Sequence, residues 1–361
     1  MNYGSVNPHG GDTYGMREME RNGRSLLDFS VNLNPLGIPD GVLEAMRESL
    51  PLAGSYPDPY CRELVKAIAD HEEMPQDFIL CGNGASELIY AFCAAVRPQS
   101  AAEAVPTFSE YASALSAASG ITPARYALRK ENGFRLDAGI LDFLASAKPE
   151  VLFLSNPNNP NGLLIRPGLL REIADMCGRN GTRLFLDECF LDLADGGLSM
   201  KAMLEDHPGL FILKAMTKNY ALAGVRLGYC LSADRELLGK MAAAAQPWNV
   251  SVIAQAAGIA ALKETAYLRE AGAVIRKGRG ALYEALTEAG LLVYPSDANF
   301  LLFRGPSGLD ERLRERGILI RNCSNYEGLG DGWYRTAVRL KEENEILIRE
   351  IRENHLWRKQ S

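Results

Sequence analysis

Four short runs constrain the fold of this chain more than any other feature: FILC (78–81), EVLFLS (150–155), TRLFLD (182–187) and GLFILKA (209–215). Each is too short for a helix, and each is apolar at nearly every position instead of at alternate ones. A strand of that kind has to be covered on both faces. The stretches between them carry helical spacing, as in ELVKAIADH (63–71), ASELIYAFCAAV (85–96) and LLREIADMCGRNG (169–181), the last closed by a glycine. Buried strands alternating with helices predict an α/β fold with a mainly parallel central sheet.

The texture changes after QPWNVS (246–251). Long charged helices around 255–290 lead into the strand-like runs LLVYP, NFLLFR, GILIRNC and WYRTAVRL, and a charged helix follows. This predicts a smaller α+β domain. The expected organisation is an N-terminal arm and the start of the small domain in 1–45, the large domain in 46–249 and the small C-terminal domain in 250–361. A chain of 361 residues is long enough for two such units.

Charge and cysteine usage remove whole classes of function. With a formal net charge of −6, neither nucleic acid nor an anionic membrane is an expected partner, while a local basic pocket for a small anion stays open. The seven cysteines form no C-x-x-C pair and the four histidines are scattered at 9, 71, 207 and 355, so no metal site is expected. Such cysteines suit core packing in a reducing compartment. The polar start MNYGSVNPHGGD is not a secretory signal, and no apolar stretch reaches the roughly 18 residues of a membrane span. A soluble cytoplasmic protein is expected.

In open parallel sheets, ligands bind beyond the carboxyl ends of the strands. Four polar clusters fall there: GNGAS, NPNNPNG, DE and TKN. Any one alone is an ordinary turn or a solvated loop, and it is their recurrence in order that marks a site. Asp187 and Glu188 raise the sharpest question, because a buried run ending in two carboxylates needs a partner for its charge. Strand alternation sends the two side chains to opposite faces, and Glu188 is read as structural.

The segment MTKNYALAGVRLGY (216–229) places an arginine eight residues after a lysine. It resembles the cofactor-lysine motif of fold-type I pyridoxal-phosphate enzymes of the class I/II aminotransferase superfamily. NLNPLG (32–37), YPDP (56–59), GNGASELI (82–89), PTFSEY (106–111), NPNNPNG (156–162) and DECF (187–190) extend the resemblance, in the family's order, over nearly the whole chain.

The resemblance implies a role for each matching residue. Lys218 forms the Schiff base with pyridoxal 5'-phosphate and carries the proton at Cα. Asp187 faces the pyridine nitrogen and keeps it protonated, Asn159 hydrogen-bonds the ring oxygen and Phe108 stacks on the ring. Arg226, Thr217 and the backbone N–H groups of Ala85 and Ser86 hold the phosphate at a helix start. Ala215 stands where the superfamily often has a serine, which shifts phosphate binding onto those groups. Tyr56 of YPDP is the tyrosine that reaches the neighbouring subunit's cofactor phosphate, implying a homodimer with shared active sites.

Two branches of the superfamily resemble the chain most: threonine-phosphate decarboxylases of cobalamin biosynthesis and histidinol-phosphate aminotransferases. Phe190 stands where the aminotransferases carry a tyrosine that touches the ring oxygen, which leaves Asn159 as the side-chain donor there. NPHGGD with His9, LLDFSVNLNPLG with Asn32 and RNCSNYEGLGDGWYRTAVRLKEEN are also similar to the decarboxylase branch. Arg335 and Arg321 are the expected contacts for substrate anions, and Arg339 is expected to pair with a surface carboxylate.

The implied function is decarboxylation of L-threonine O-3-phosphate to (R)-1-aminopropan-2-yl phosphate for the cobalamin nucleotide loop. O-phosphoserine, giving ethanolamine phosphate, is its close variant. A histidinol-phosphate or related aminotransferase is the alternative. A non-catalytic binding protein is disfavoured by the intact set of Lys218, Asp187, Asn159 and Arg226.

Overall fold

The computed structural model of the chain describes residues 10, 11, 13 and 26–353. A short strand β1 (Leu27–Asp28) precedes helices α1 (Asp40–Ser49) and α2 (Arg62–Glu72). The apolar runs then form a seven-stranded sheet from β2 (Ile79–Gly82), β3 (Ala101–Val105), β4 (Ala124–Ala127), β5 (Val151–Ser155), β6 (Arg183–Asp187), β7 (Leu210–Ala215) and β8 (Gly228–Ser232). Its order is β2-β8-β7-β6-β5-β3-β4. Only β8 runs against the others, antiparallel to both β2 and β7.

Side-chain alternation explains why the strands are apolar throughout. Val151, Phe153, Phe185 and Phe211 face one side, under α3 (Gly84–Val96), α4 (Glu110–Ser119) and residues of Arg235–Ala244. Leu152, Leu154, Leu184, Leu186 and Ile212 face the other, under α2, α5 (Gly139–Ala147) and α6 (Pro167–Asn180). A four-residue helix α7 (Met216–Asn219) follows β7, and the helix Arg235–Ala244 is α8.

Charged residues interrupt this apolar sheet, the buried Lys214 and Glu103 among them. Lys214 of β7 is buried, with its Nζ 3.1 Å from Asp192 Oδ1 and 3.6 Å from Glu72 Oε1. Burial alone would raise the Glu72 carboxyl, but Lys214, Lys201 and the Tyr229 hydroxyl hold it at about 2. The charge is therefore compensated in place.

Beyond residue 250, α9 (Val252–Ala261) and α10 (Tyr267–Glu288) lead to β9 (Leu292–Val293), β10 (Phe300–Arg304), α11 (Leu309–Arg314), β11 (Ile318–Leu319), β12 (Arg321–Asn322), β13 (Trp333–Ala337) and α12 (Lys341–Glu353). Four of these strands form an antiparallel sheet in the order β12-β13-β10-β9. The run GILIRNC, one strand by its apolar pattern, is divided: β11 pairs in parallel with β1 and β12 pairs with β13. Both halves are buried, so burial pattern alone does not reveal the change of partner.

Ala254, Ala257 and Ala261 of α9 pack in the same core as Leu64 and Ile68 of α2. We propose that the two units meet at α9. Among the described residues no helix is long and apolar enough to cross a membrane. Nor does any group of three His, Cys, Asp or Glu side chains there suit a metal ion.

Candidate active site

β2, β3, β5, β6 and β7 run in one direction, so their carboxyl ends lie along one edge of the sheet. There the structure has a cavity of about 350 Å3, the scale of a small-molecule site. Ala85, Ser86, Phe108, Asn159, Asp187, Thr217, Lys218 and Arg226 all line it, and Asn32, Arg321 and Arg335 line it as well. Tyr56 lies elsewhere, and His9 lies outside the described residues.

At one end of the cavity the chain builds an anion cradle. α3 opens at Gly84, whose φ of +79° a side-chain-bearing residue rarely adopts. A Cβ there would stand 2.6 Å from Arg226 Nη2, and one on Gly228 would stand 2.7 Å from the Ala85 nitrogen. The guanidinium is thus packed directly against the positive end of α3, whose first amides have no partner within the helix. Thr217 and Ser86, both hydroxyl-bearing, line the same cavity. This donor set suits a phosphate dianion.

Deeper in, Asp187 is buried and accepts from the Tyr111 hydroxyl (2.6 Å) and the Cys189 N–H (2.9 Å). Burial pushes its carboxyl above the usual range, and the hydrogen bonds from Cys189 and Tyr111 only partly offset that. No ion pair engages Asp187 among the described residues. A buried carboxylate held this way is complementary to a protonated ring nitrogen. Tyr111 is fixed in turn by stacking on Phe153, 5.3 Å between centroids, within an aromatic core that includes Phe92, Phe185 and Phe211. Glu188 is buried away from the cavity. Its Oε1 accepts the Met200 N–H (2.9 Å), Oε2 has no partner, and burial lifts the carboxyl to about 7.

Lys218, on α7, points its amine at the Phe190 ring, 5.6 Å from the centroid. Burial first, then the nearby Arg335 and Arg226 charges, lower this amine to about 8. Capture of an aldehyde by the cofactor-free protein needs the neutral amine. Its rate is expected to rise about tenfold per pH unit and flatten near pH 8, as stopped-flow absorbance can follow. A midpoint at the ordinary lysine value would contradict this placement.

The opposite wall comes from the small sheet. Arg321 and Arg335 are direct cross-strand partners, both buried. Like charges so placed repel, and no carboxylate pairs with Arg335 among the described residues. Its guanidinium donates to Asn159 Oδ1 and to the Ser30 carbonyl (2.9 Å), and it lies 5.4 Å from the Phe300 ring centroid. The Asn32 amide faces the same group, and oriented with its oxygen toward the guanidinium it would accept from Arg335 Nε at 3.2 Å. Arg321 donates to Asn325 Oδ1 (2.7 Å) and stacks over Tyr326. Both guanidinium-bearing side chains line the cavity, a donor set suited to anionic groups.

Asn159 is not alone on its wall. The Tyr326 hydroxyl lines the cavity and donates to Asn159 Oδ1 at 3.4 Å. With Arg335 on the same oxygen, the donor end of the Asn159 amide is left for a ligand.

Arg339 is turned away onto Glu343 (2.7 Å). Gly10, beside His9, lines the cavity, and the Gly11 N–H donates to Ser30 Oγ at 2.8 Å. Tyr56 is 78% exposed and stacks on Trp248, 4.5 Å between centroids.

Sequence reasoning assigned no role to Tyr111 or Tyr326. Tyr111 stands in the motif PTFSEY, three residues after Phe108, and membership of that motif is the only local signal it had. Tyr326 has none, because 167 residues separate it from Asn159.

A sequence model of the family described as aminotransferase class I and II matches residues 24–351. The threonine-phosphate decarboxylase of Salmonella typhimurium is 39% identical over 331 residues, which cover 91% of this chain and 90% of that protein. The structure of the histidinol-phosphate aminotransferase from Clostridium acetobutylicum matches with a TM-score of 0.84 at 31% identity, over 91% of this chain and 99% of that one. The histidinol-phosphate aminotransferase of Sinorhizobium meliloti, solved in complex with pyridoxal-5'-phosphate, shares the fold with a TM-score of 0.83 at 23% identity, over 98% and 95% of the two chains.

Proposed function

The chain belongs to the aminotransferase class I and II family, and from that premise we propose that it decarboxylates a phosphorylated amino acid with pyridoxal 5'-phosphate. L-Threonine O-3-phosphate is the favoured substrate, and (R)-1-aminopropan-2-yl phosphate and CO2 are the products. The observation that carries this reading is the cross-strand pair Arg321 and Arg335 in the cavity that holds Lys218. Two guanidinium groups suit a substrate with two anionic groups, a carboxylate and a phosphate.

Arg226, Thr217 and the amides of Ala85 and Ser86 would hold the cofactor phosphate, while Asp187 would face the ring nitrogen. Asn159 would donate to the ring oxygen, Phe108 would cover the ring and Lys218 would bind the aldehyde; all three line the cavity. When bound, the cofactor supplies an electron sink for the pair left at Cα. Arg335 and Arg321 orient the substrate by its anions, and that orientation selects the carboxylate bond for cleavage. Lys218 Nζ, beside the bound substrate, would return a proton to Cα in place of CO2. Phe190 offers a ring without a hydroxyl beside that amine. O-phosphoserine lacks one methyl, a difference that discriminates by only ~1–3 kcal/mol.

The test supplies O-phospho-L-threonine without any keto acid. Stoichiometric CO2 and amine phosphate are expected. Transfer of the amino group from histidinol phosphate to 2-oxoglutarate, with no CO2 from phosphothreonine, would replace this reading by the aminotransferase one. That alternative is favoured by the likeness to the Clostridium acetobutylicum structure.

A homodimer with shared sites is part of the proposal. Leu50, Leu52, Tyr56, Tyr60 and Trp248 are all exposed, an unusual amount of large apolar surface for one region of a monomer. Trp248→Asp is expected to shift sedimentation toward a single chain, and wild-type protein sedimenting as a monomer at micromolar concentration would refute the dimer. A cytoplasmic location fits the seven free, buried cysteines.

A further inference from the structure

We propose that Asn34 is a positioning residue for Lys218, and that it ties the Lys218 turn to the anion-binding wall around Arg335. The inference rests on the reading of Lys218 as the cofactor-bearing residue. α7 has only four residues, so its last carbonyls lack partners within the helix. Asn34, which is buried, meets two of them: its N–H donates to the Lys218 carbonyl (3.0 Å) and its Nδ2 to the Asn219 carbonyl (2.8 Å).

Its acceptors serve a different end. Asn34 Oδ1 accepts the Leu36 N–H (3.0 Å) and its carbonyl accepts the Gly37 N–H (3.3 Å), which folds the loop in which it sits. An amide is therefore required. Aspartate retains the acceptor of the Leu36 turn but loses the donor and sets a carboxylate oxygen against the Asn219 carbonyl. On the far side of the turn, Asn219 Nδ2 donates to Asp192 Oδ2 (2.6 Å), and Asp192 is paired with Lys214. The lysine turn is thus clamped from two directions.

The segment before Asn34 is bonded to the other wall. Arg335 donates to the Ser30 carbonyl and faces the Asn32 amide, the Ala337 N–H donates to the Phe29 carbonyl (2.8 Å), and Asn299 Nδ2 donates to the Leu33 carbonyl (3.2 Å). One short stretch, 29–34, therefore contacts the substrate-anion group at its start and the catalytic lysine at its end. A loss of order at either end is felt at the other through covalent chain and hydrogen bonds alone.

The experiment compares wild type, Asn34→Asp, Asn34→Ala, Arg335→Gln and the Asn34→Asp/Arg335→Gln double variant. Cofactor-free proteins are measured by peptide-level hydrogen exchange over 216–222 and by the pH midpoint of aldehyde capture. Loaded proteins are then measured for kcat and KM. Asn34→Asp is expected to speed exchange in 216–222 about tenfold with the rest of the chain unchanged. The capture midpoint should move upward from about 8, since a loosened turn exposes the amine. kcat should fall by roughly 10–100-fold with KM altered by less than about threefold.

Arg335→Gln alone should also speed exchange in 216–222, and it should add nothing in the Asn34→Asp background, the signature of coupled positions. Unchanged exchange and midpoint in Asn34→Asp would overturn the proposal, and additive effects in the double variant would overturn the link to Arg335. If Asn34→Asp does not fold, Asn34→Ala is read in its place with the same criteria. Exchange and capture need no amino-acid substrate, so failure of wild type to turn over phosphothreonine leaves this test intact. Failure of wild type to capture the cofactor would instead refute the cofactor reading.

Discussion

Lys218→Ala is expected to lower kcat by on the order of 10,000-fold or more, because one side chain performs two tasks. Its amine is the nucleophile toward the cofactor aldehyde and the carrier of the proton at Cα. No other lysine lines the cavity among the described residues. Lys214, four positions earlier, is held by Asp192 and Glu72 with its charge fixed: burial alone would lower its amine, but the charges of Asp192, Glu72 and Glu188 outweigh that and keep it protonated above the usual lysine range. The same substitution is expected to leave stability unchanged or to increase it at pH 7. A lysine with a lowered folded value costs stability wherever it is charged, below about pH 8, and alanine removes that cost. Single-turnover CO2 release, the absorbance of the loaded protein and thermal unfolding check the three statements together. Retention of more than about one per cent of wild-type turnover would assign the proton to another group.

Asp187→Asn is the second large effect. Shape and most contacts survive, since the Asn oxygen still accepts the Cys189 N–H and the Tyr111 hydroxyl oxygen can accept from the new amide. What disappears is a fixed negative charge aimed at the ring nitrogen. Loss of one such preorganised group is expected to cost on the order of 100–1,000-fold in kcat.

Stability should move in the opposite direction in the cofactor-free protein. Asp187 is raised above its usual value of 3.8 by burial, so the folded state binds its proton more tightly than the unfolded chain does. From about pH 4 upward that difference erodes stability as pH rises, and Asn removes the erosion. A higher thermal midpoint for the cofactor-free variant, joined to lower turnover of the loaded one, is the result expected of a functional charge. A variant both less stable and fully active would mark Asp187 as a packing residue.

Both residues stand at or just beyond the ends of buried apolar strands, which marked them as candidates, and the resemblance of the motifs around them supplied their roles. A strand apolar on both faces reports its own burial, and a carboxylate or lysine at its carboxyl end then reads as a site on a parallel sheet. Arg226 was legible only through the family resemblance that its spacing from Lys218 carries. Other features were not. The reversed direction of β8 leaves the apolar pattern of GYCLS unaltered, since a strand is equally buried in either sense. The division of GILIRNC between two sheets is hidden for the same reason.

The hydrogen-bonding residues divide along a similar line. Tyr111 meets Asp187 across 76 positions, Tyr326 meets Asn159 across 167, and Asn34 meets Asn219 across 185. Such bonds act over about 3 Å and depend on direction, and periodicity carries no information about them. By itself, then, the sequence determined which segments are buried, which are helical, and which chemical groups stand at the mouths of the strands. Only the tertiary structure decided that Tyr111 holds Asp187, that Arg335 lies opposite Arg321, and that Asn34 holds the turn bearing Lys218. Burial is a property of one segment and its solvent, whereas a hydrogen bond needs two segments already brought together by packing.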